Sequence, residues 1–167
     1  MNESVSIIIP AFRLSGLRLR NFNAVLASVL RAPFAEVIVV EQTNPGAMWG
    51  ELDLPEGVTH LRMPIRDTKI RKPMLLTLGV DHAKTEYVWL NDADVYVPFK
   101  SVLEQLTDED EAVVPYHHCV QLPEALTRLF IAREPIVCPE STPSIFVPGG
   151  GAVIMRKSMY EAVGGYD

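Results

Sequence analysis

The sequence predicts an α/β fold with a mainly parallel central sheet. Short β-branched runs alternate along the chain with stretches of helical periodicity, and the run 36–41 is apolar throughout its interior. An uninterrupted apolar strand is typical of a strand that helices cover on both faces. Ligands of such folds bind beyond the carboxyl ends of the strands. The residues that follow each strand are therefore the first candidates for a functional site.

The first half of the chain supplies four of the predicted strands and two helices. The strands are runs of β-branched, aliphatic or aromatic residues at 5–10, 36–41, 58–63 and 87–90. The helices have apolar residues three and four positions apart and cover 17–30 and 72–83. Pro73 suits the first turn of the second helix, where a missing N–H removes no helical hydrogen bond.

The second half continues the alternation. Apolar spacing predicts a short helix from Pro98, and a longer one at 122–133 has apolar residues at i, i+3, i+4, i+7 and i+8. Strands are predicted at 112–114 and 152–155. The proline-rich stretch 135–148 is predicted to be irregular.

A short helix is expected to close the chain. Ser158 and Glu161 stand three residues apart, which is the spacing of a capping box, and Gly164 suits a helix C-terminus.

Composition excludes several classes of protein. The 167 residues predict one domain over 1–167, and the net charge of −6 disfavours a general nucleic-acid binder. Apolar runs are far shorter than the roughly 20 residues of a membrane helix. The N-terminus lacks the pattern of a secretory signal, so we expect a cytoplasmic protein. Cys119 and Cys138 lack metal-site spacing and are expected to be reduced thiols.

Two carboxylates follow the fourth strand. Asp92 and Asp94 stand two residues apart, so an extended backbone would point both side chains the same way. Together they form a hard oxygen half-site that suits Mg²⁺ or Mn²⁺, with water and substrate phosphates completing the coordination. The alternative is a solvated acidic turn.

Candidate phosphate and base contacts lie after the other strands. Basic residues are concentrated from the end of the third strand to the start of the second helix, in a chain that is acidic overall, and could neutralise a diphosphate or form a solvated loop. They are Arg62, Arg66, Lys69, Arg71 and Lys72, against Asp67 alone. After the first strand, Phe12 could stack on a base and Arg13 could reach a phosphate. Glu41 ends the second strand, where its carboxylate could accept a hydrogen bond from a nucleobase.

Other familiar motifs are missing or weak. The run 149–151 is three glycines, which permits close approach to a ligand but equally suits a flexible loop. It is not a phosphate-binding P-loop, since no Gly-Lys-Ser/Thr follows, and no G-x-G-x-x-G follows the first strand. Adjacent His117 and His118 would point to opposite faces of an extended segment, so a shared metal ion there is not expected.

Motifs in this order resemble those of GT-A glycosyltransferases, and among them the inverting β-1,4-galactosyltransferase-like and family 2-like nucleotide-sugar transferases. The resemblance covers nearly the whole chain. The matching segments are Ile7-Ile8-Ile9-Pro10-Ala11-Phe12-Arg13, Val39-Val40-Glu41-Gln42, Arg71-Lys72-Pro73-Met74-Leu75-Leu76-Thr77-Leu78-Gly79, Leu90-Asn91-Asp92-Ala93-Asp94 and the glycine-led strand and helix from Gly149 to Tyr166. Ala11 departs from the family pattern, because it separates the proline from the phenylalanine.

The resemblance implies a Rossmann-like α/β/α sandwich that transfers a sugar from a UDP-sugar to a carbohydrate or other hydroxyl acceptor, with inversion. It implies an ion, Mn²⁺ or Mg²⁺, on Asp94 and Asp92. It implies sugar contacts at Asn91, Gly150 and Gly151. The implied donor-nucleotide contacts are Pro10, Phe12, Arg13, Glu41, Arg71, Lys72 and Asp92, with Glu41 near the uracil.

The family's catalytic base and acceptor contacts lie in a Trp-Gly and Glu-Asp-Asp segment after the Gly-Gly-Tyr-Asp motif. This sequence ends at Asp167, which does not align with the base, so no base is assigned. We therefore expect one of three cases: a fragment, a minimal donor-binding unit whose remaining parts come from another chain, or an enzyme that turns over by a compromised mechanism.

Two further functions stay open. One is a catalytically incomplete domain that holds a UDP-sugar without transferring it. The other is a nucleotidyltransferase, which also combines an α/β fold with acidic metal ligands. That class normally has a Gly-rich basic loop after its first strand, and the segment 10–16 matches such a loop poorly.

Overall fold

A computed structural model describes residues 5–44, 52–133, 144–145 and 151–165. The strands are β1 (Val5–Phe12), β2 (Glu36–Thr43), β3 (Val58–Pro64), β4 (Tyr87–Asn91), β5 (Ala112–Val113), β6 (Cys119–Val120), β7 (Ser144–Ile145) and β8 (Ala152–Arg156). The helices are α1 (Gly16–Val29), α2 (Lys72–His82), α3 (Phe99–Gln105), α4 (Glu124–Ala132) and α5 (Lys157–Ala162).

Six strands form the central sheet, in the order β3-β2-β1-β4-β8-β5. The first four run parallel, whereas β8 is antiparallel to both of its neighbours, β4 and β5. The predicted α/β fold with a mainly parallel sheet is therefore confirmed. The carboxyl ends of β1, β2 and β4 lie at the same edge, as the parallel registers require.

Helices cover both faces of this sheet, because alternate residues of each strand point to opposite sides. On one face, Ile7 and Ile9 of β1 pack with Phe22 of α1 and with α3. On the other, Ile8 packs among residues of α2 and with Tyr160 of α5. This is the α/β/α sandwich that the family resemblance implied.

One glycine allows α2 to lie close to the sheet. A Cβ built on Gly79 would collide with the side chain of Ile8 in β1. Close packing of α2 on β1 therefore depends on the absence of a side chain at Gly79.

The helix predicted at 122–133 is confirmed over Glu124–Ala132, but it begins after Pro123 and so excludes Leu122. Two other local predictions are wrong. The last helix begins at Lys157 with Arg156 as its cap residue, so Ser158 is inside it and forms no capping box. Part of the stretch predicted to be irregular, β7, pairs with β6 in a second small sheet; the rest of that stretch lies outside the described residues.

The glycine predicted to end the last helix is confirmed. Gly164 has a left-handed φ of 82° and donates its N–H to the carbonyl of Glu161, 3.1 Å away. The next residue, Gly165, donates to the carbonyl of Tyr160 at 3.0 Å. This pair of bonds satisfies carbonyl groups that the helix end leaves open.

Among the described residues, no helix is both long and apolar enough to cross a bilayer. Cys119 is a free thiol, and Cys138 lies outside the described part of the chain.

Candidate nucleotide-binding site

The predicted site residues converge on the carboxyl edge of β1, β2 and β4. Phe12, at the end of β1, is in register with Gln42 of β2. The last β1–β4 pair joins Ile8 to Leu90, so Asp92 emerges at the same edge. Pro10 lies beyond that pair, where a proline removes no hydrogen bond from the β4 ladder.

The two aspartates lie in a turn, not on extended backbone as expected. β4 ends at Asn91, and the N–H of Val95 donates to the carbonyl of Asp92 across a distance of 3.2 Å. Asp94 is exposed, whereas the side chain of Asp92 retains 33% of its exposure. The argument that both side chains point the same way therefore does not apply, and the turn itself sets their positions.

Asn91 builds this turn from inside. Its side chain is 1% exposed, and its amide nitrogen donates to the carbonyls of Asp92 at 2.8 Å and Val95 at 2.9 Å. Its amide oxygen accepts the indole N–H of Trp89 at 3.2 Å. The geometry thus gives Asn91 an internal role behind the acidic turn, and its predicted contact with a sugar stays a prediction.

A glycine directly before the antiparallel strand β8 holds the same turn in place. The carbonyl of Gly151 accepts the N–H of Asp92 at 2.7 Å, and Gly151 has a left-handed φ of 96°. A Cβ here would lie 3.1 Å from Val95 and 3.4 Å from the Tyr116 hydroxyl. Backbone therefore approaches the turn where no side chain fits. Gly150, predicted beside it, lies outside the described residues.

Lys72, the first residue of α2, forms an ion pair between its Nζ and the Oδ1 of Asp92. Residues that the sequence assigned separately to a diphosphate and to a metal are therefore in direct contact. Both side chains retain a third or more of their exposure, at 40% and 33%. The pair is accessible to a ligand. A ligand that carries both an anionic group and a cation can replace Asp92 as the partner of Lys72 and Lys72 as the partner of Asp92.

The neighbouring basic loop is internally braced. The guanidinium of Arg71 binds the carboxylate of Asp67, with Nε at 2.7 Å and Nη2 at 2.6 Å. The pKa of Asp67 is lowered below its ordinary value, mainly by the hydrogen bond from the backbone N–H of Lys69 and then by the Arg71 guanidinium. The loop therefore carries a fixed charge pair beside Lys72, and part of the positive charge seen in the sequence is neutralised.

Gln42 is a residue whose role the sequence did not reveal. It is 3% exposed, its amide nitrogen donates to the carbonyl of Lys69 at 2.9 Å, and its amide oxygen accepts the N–H of Arg71 at 2.7 Å. One side chain at the end of β2 thus fixes the backbone of the loop just before α2. An amide side chain at the end of an otherwise apolar strand was the available signal.

Glu41 has partners already. Its Oε2 lies 2.9 Å from Nε2 of His60 and 4.0 Å from Nε of Arg62, both on the neighbouring strand β3. The Glu41 side chain is 12% exposed. The carboxylate is therefore oriented by β3 near the carboxyl edge of the sheet, and its predicted contact with a nucleobase stays a prediction.

Phe12 and Arg13 lie against each other where β1 ends. The centre of the Arg13 guanidinium is 5.0 Å from the centroid of the Phe12 ring, a cation–π distance. Arg13 has a left-handed φ of 49°, a conformation that turns the chain sharply away from the sheet. Phe12 is 8% exposed, so a narrow part of its ring faces solvent at this edge.

The acidic turn fits a hard divalent cation shared with phosphate groups. Mg²⁺ is usually held by one or two carboxylates together with substrate phosphates, and Asp92 and Asp94 supply two oxygen-bearing groups. The part of the chain that the structure describes contains no group of three or more His, Cys, Asp or Glu side chains placed to hold a metal ion. The donor set therefore suits an ion that a bound phosphate helps to coordinate.

The architecture is a GT-A glycosyltransferase-like fold, as comparison with solved structures shows. A mannosyltransferase from Pyrobaculum calidifontis, in complex with GDP-Man and Mn²⁺, superimposes with a TM-score of 0.56 at 17% identity, over 98% of this chain and 47% of its own. Glucosyl-3-phosphoglycerate synthase from Mycobacterium tuberculosis, in complex with UDP, has a TM-score of 0.51 at 16% identity, over 93% of this chain and 57% of its own.

A third similar structure belongs to another enzyme class. CMP:2-keto-3-deoxy-manno-octonic acid synthetase, in complex with CTP, has a TM-score of 0.53 at 13% identity, over 96% of this chain and 77% of its own. The chain thus spans about half the length of the two glycosyltransferases, at 47% and 57%, and more of the synthetase. No protein-family profile and no curated protein sequence matches the chain.

Proposed function

We propose that the chain is the donor-binding part of a metal-dependent glycosyltransferase and binds a UDP-sugar at the carboxyl edge of β1, β2 and β4. The contact between Lys72 and Asp92 is the observation that carries this proposal. It brings a cation suited to phosphate and a carboxylate suited to a metal ion to one accessible point of the sheet edge. A nucleoside diphosphate bound with a divalent cation needs both.

Binding would exchange the partners of this pair. Without ligand, Lys72 and Asp92 neutralise each other; with ligand, Lys72 would turn to a diphosphate oxygen and Asp92, with Asp94, would hold Mn²⁺ or Mg²⁺. The start of α2 adds to the attraction, because the N-terminus of a helix favours negative charge. Arg71 lies beside it and would contribute a second cation.

The remaining edge residues would bind the nucleoside and the sugar. Phe12, supported by Arg13, would contact the base, and Glu41, oriented by His60, would accept one of its hydrogen bonds. Pro10 would shape the floor of the nucleotide site. The sugar would be contacted by Gly151, whose carbonyl accepts the N–H of Asp92 in the acidic turn, and by Gly150, which lies outside the described residues.

Bound Mn²⁺ or Mg²⁺ would neutralise charge on the diphosphate as it leaves the sugar. This chain's residues would position the donor and exclude water from its phosphates, and an acceptor hydroxyl would attack the anomeric carbon. The inversion and the cytoplasmic location predicted from the sequence belong to this proposal. The base and the acceptor contacts would come from further sequence or from a partner chain, since the glycosyltransferases of similar fold are about twice as long.

Titration calorimetry with UDP, with and without Mn²⁺, tests this function. We expect binding that requires Mn²⁺ and is lost in Asp94→Asn, because the amide cannot replace the charge of a carboxylate ligand. Asp81→Asn is the matched control, since Asp81 is exposed on α2 and the same charge is removed. Equal binding of UDP without Mn²⁺, or by Asp94→Asn, would contradict the proposal.

Nucleotidyl transfer is the second candidate. The chain covers 77% of the CTP-bound synthetase, a larger share than of either glycosyltransferase described above. Release of pyrophosphate from CTP or UTP would favour this function, whereas release of UDP from a UDP-sugar would favour glycosyl transfer. Mn²⁺-dependent UDP binding with neither product would identify the third case, a domain that holds the donor without transferring its sugar.

A further inference from the structure

We propose that a cavity between α1 and α4 binds a small phosphorylated organic molecule. The cavity measures about 250 Å³, and three arginines line it: Arg20 of α1, Arg31 just after α1 and Arg133 just after α4. None of the described residues that line it is acidic. This site is independent of the proposed transferase function, because it lies on the outer side of α1 while Lys72 belongs to α2, on the opposite face of the sheet.

The sequence of α1 produces this cavity. Its sheet-facing side buries Phe22, Val25, Leu26 and Val29, whereas the stripe at i, i+4, i+7 and i+11 carries an arginine at each end and alanines between them. Residues at these spacings share one face of a helix. The small side chains of Ala24 and Ala27 leave a hollow floor, and the arginines at its ends supply the charge.

The helix α4 closes the other side. Arg20 of α1 contacts Glu124 at the start of α4, and Arg31 and Arg133 follow the ends of the two helices at the far end of the cavity. The two helices therefore run in the same direction. The amphipathic pattern of α4 does not make it a core helix: no residue of α4 is fully buried, and its apolar side faces α1 and the cavity.

The charge in the cavity is incompletely neutralised. Glu124 is shared between Arg20, at 3.4 Å, and Arg128, at 3.0 Å. The Nε of Arg20 is buried and has no hydrogen-bond partner within the described structure. A buried donor without a partner is uncommon and costs stability, so the Arg20 guanidinium is incompletely satisfied by the groups around it.

At the far end, the charge favours an anion as well. Arg31 donates to the hydroxyl of Ser28 at 2.9 Å, and neither Arg31 nor Arg133 has an acidic partner among the described residues. Two helix C-termini contribute about half a negative charge each, so the two arginines leave a net charge of roughly +1 there.

These groups fit a phosphomonoester with an apolar part. Guanidinium groups bind phosphate oxygens in pairs, and the Ser28 hydroxyl adds a neutral hydrogen-bonding group. Phe130, with the two alanines, offers a surface for a small ring or chain. The ring of Phe130 also lies 4.7 Å, centroid to centroid, from that of Tyr96, two residues after Asp94, so a ligand here would lie one ring away from the acidic turn.

Titration calorimetry of the full chain with phenyl phosphate tests the site. We expect saturable binding of one molecule, weakened about tenfold or more in Arg31→Gln/Arg133→Gln, because charge-assisted hydrogen bonds are lost. Ala27→Leu fills the floor without changing charge and should weaken binding in the same way. Inorganic phosphate should bind more weakly than phenyl phosphate.

Two control variants test whether a loss of binding is specific to the arginines of the cavity. Arg18→Gln removes a charge from an exposed position of α1 that does not line the cavity, and Lys72→Gln removes one from the nucleotide site. Both should bind phenyl phosphate as the unaltered protein does. Absence of saturable binding, equal affinity for inorganic phosphate, or binding unchanged by the double substitution would overturn the proposal. None of these outcomes depends on whether UDP binds.

Discussion

Lys72 and Asp92 form an ion pair that joins the first turn of α2 to the turn after β4. Lys72 begins the helix that leads into β4, and Asp92 follows the end of β4. Because the helix and the strand run in opposite directions, both residues lie at the carboxyl edge of the sheet. Both are partly exposed, so the pair contributes little to stability by itself. Its position at the mouth of the proposed site makes it the first target for mutation.

Replacing Lys72 by Gln should weaken UDP binding about tenfold, because a charged hydrogen bond to the diphosphate is lost. Calorimetry in the presence of Mn²⁺ measures the effect, and the denaturation midpoint should change little. Lys100→Gln is the control, since Lys100 lies on α3 and is 3.8 Å from Glu104 in an exposed pair. Equal losses of affinity in the two variants would indicate a general effect of charge and not a contact.

Replacing Gly151 by Ala should destabilise the protein and disturb the acidic turn. Its φ of 96° disfavours any side chain, and the new Cβ would press on Val95 at 3.1 Å. Gly57→Ala separates these effects, because Gly57 has a similar φ of 86° and nothing within 4 Å of the Cβ position.

Strain alone should therefore cost Gly57→Ala about 1–2 kcal/mol in urea denaturation, and Gly151→Ala should lose more. Gly151→Ala should also weaken Mn²⁺-dependent UDP binding, which Gly57→Ala should leave intact. Identical losses of stability and of affinity in the two variants would show that the contact with Val95 has no effect on the turn.

Ionisation of Glu36 should make the free energy of unfolding depend on pH in the acidic range. Partial burial, the largest single influence, raises its pKa, but the N–H of Lys84, the Ser6 hydroxyl and the nearby charges together lower it below the ordinary value of 4.5. The folded state therefore binds this proton less readily than the unfolded state. The stabilisation from ionised Glu36 is present above about pH 4.5 and is lost as pH falls further, through the lowered pKa.

Glu36→Gln should accordingly reduce the free energy of unfolding at neutral pH, and the difference from the unaltered protein should shrink in acid. Urea denaturation at about pH 6 and about pH 3 measures this. Glu56→Gln makes the same change of charge at an exposed position and should show no such convergence. A difference that is constant across both pH values would mean that the carboxylate contributes through shape alone.

Gly79→Ala tests the packing of α2 against the sheet. Alanine favours a helix by about 1 kcal/mol over glycine. The added methyl would collide with Ile8, however, and overpacking a core typically destabilises a protein by about 1–3 kcal/mol. We expect net destabilisation by thermal and urea unfolding. His82→Ala, at an exposed position of the same helix, should be close to neutral. A stabilised Gly79→Ala protein would show that the sheet yields to the methyl group.

Much of the fold could be predicted because hydrophobic periodicity determines it directly. The apolar run in β2 and the spacing in α1 identified a strand buried on both faces and a helix with one buried side. Hydrophobic periodicity does not predict strands that pair over only a few residues, or which surface a helix packs on when that surface is not the sheet. β6 and β7 pair over two residues each, and α4 has a strong apolar pattern but packs on α1.

The candidate site could be located but not assembled from the sequence. The ends of the parallel strands identified Asp92 and the residues near Lys72, since sheet topology brings strand ends together. The contact between those two side chains depends on how closely α2 packs, and the role of Gln42 depends on the path of a loop. Asp94 illustrates the limit of periodicity, because a turn replaced the extended backbone that the alternation rule assumes.

The turn that carries Asp92 is closed by a carbonyl that the chain supplies much later, at Gly151. Strands β1 to β3 can associate as successive neighbours and β4 can then join the free edge of β1, but β8 must insert between β4 and β5 before this bond exists. Closing so long a loop is entropically expensive and slow compared with local pairing. During synthesis, the parallel strands can therefore pair before the acidic turn has its final conformation. The proposed nucleotide site is then completed only in the last steps of folding.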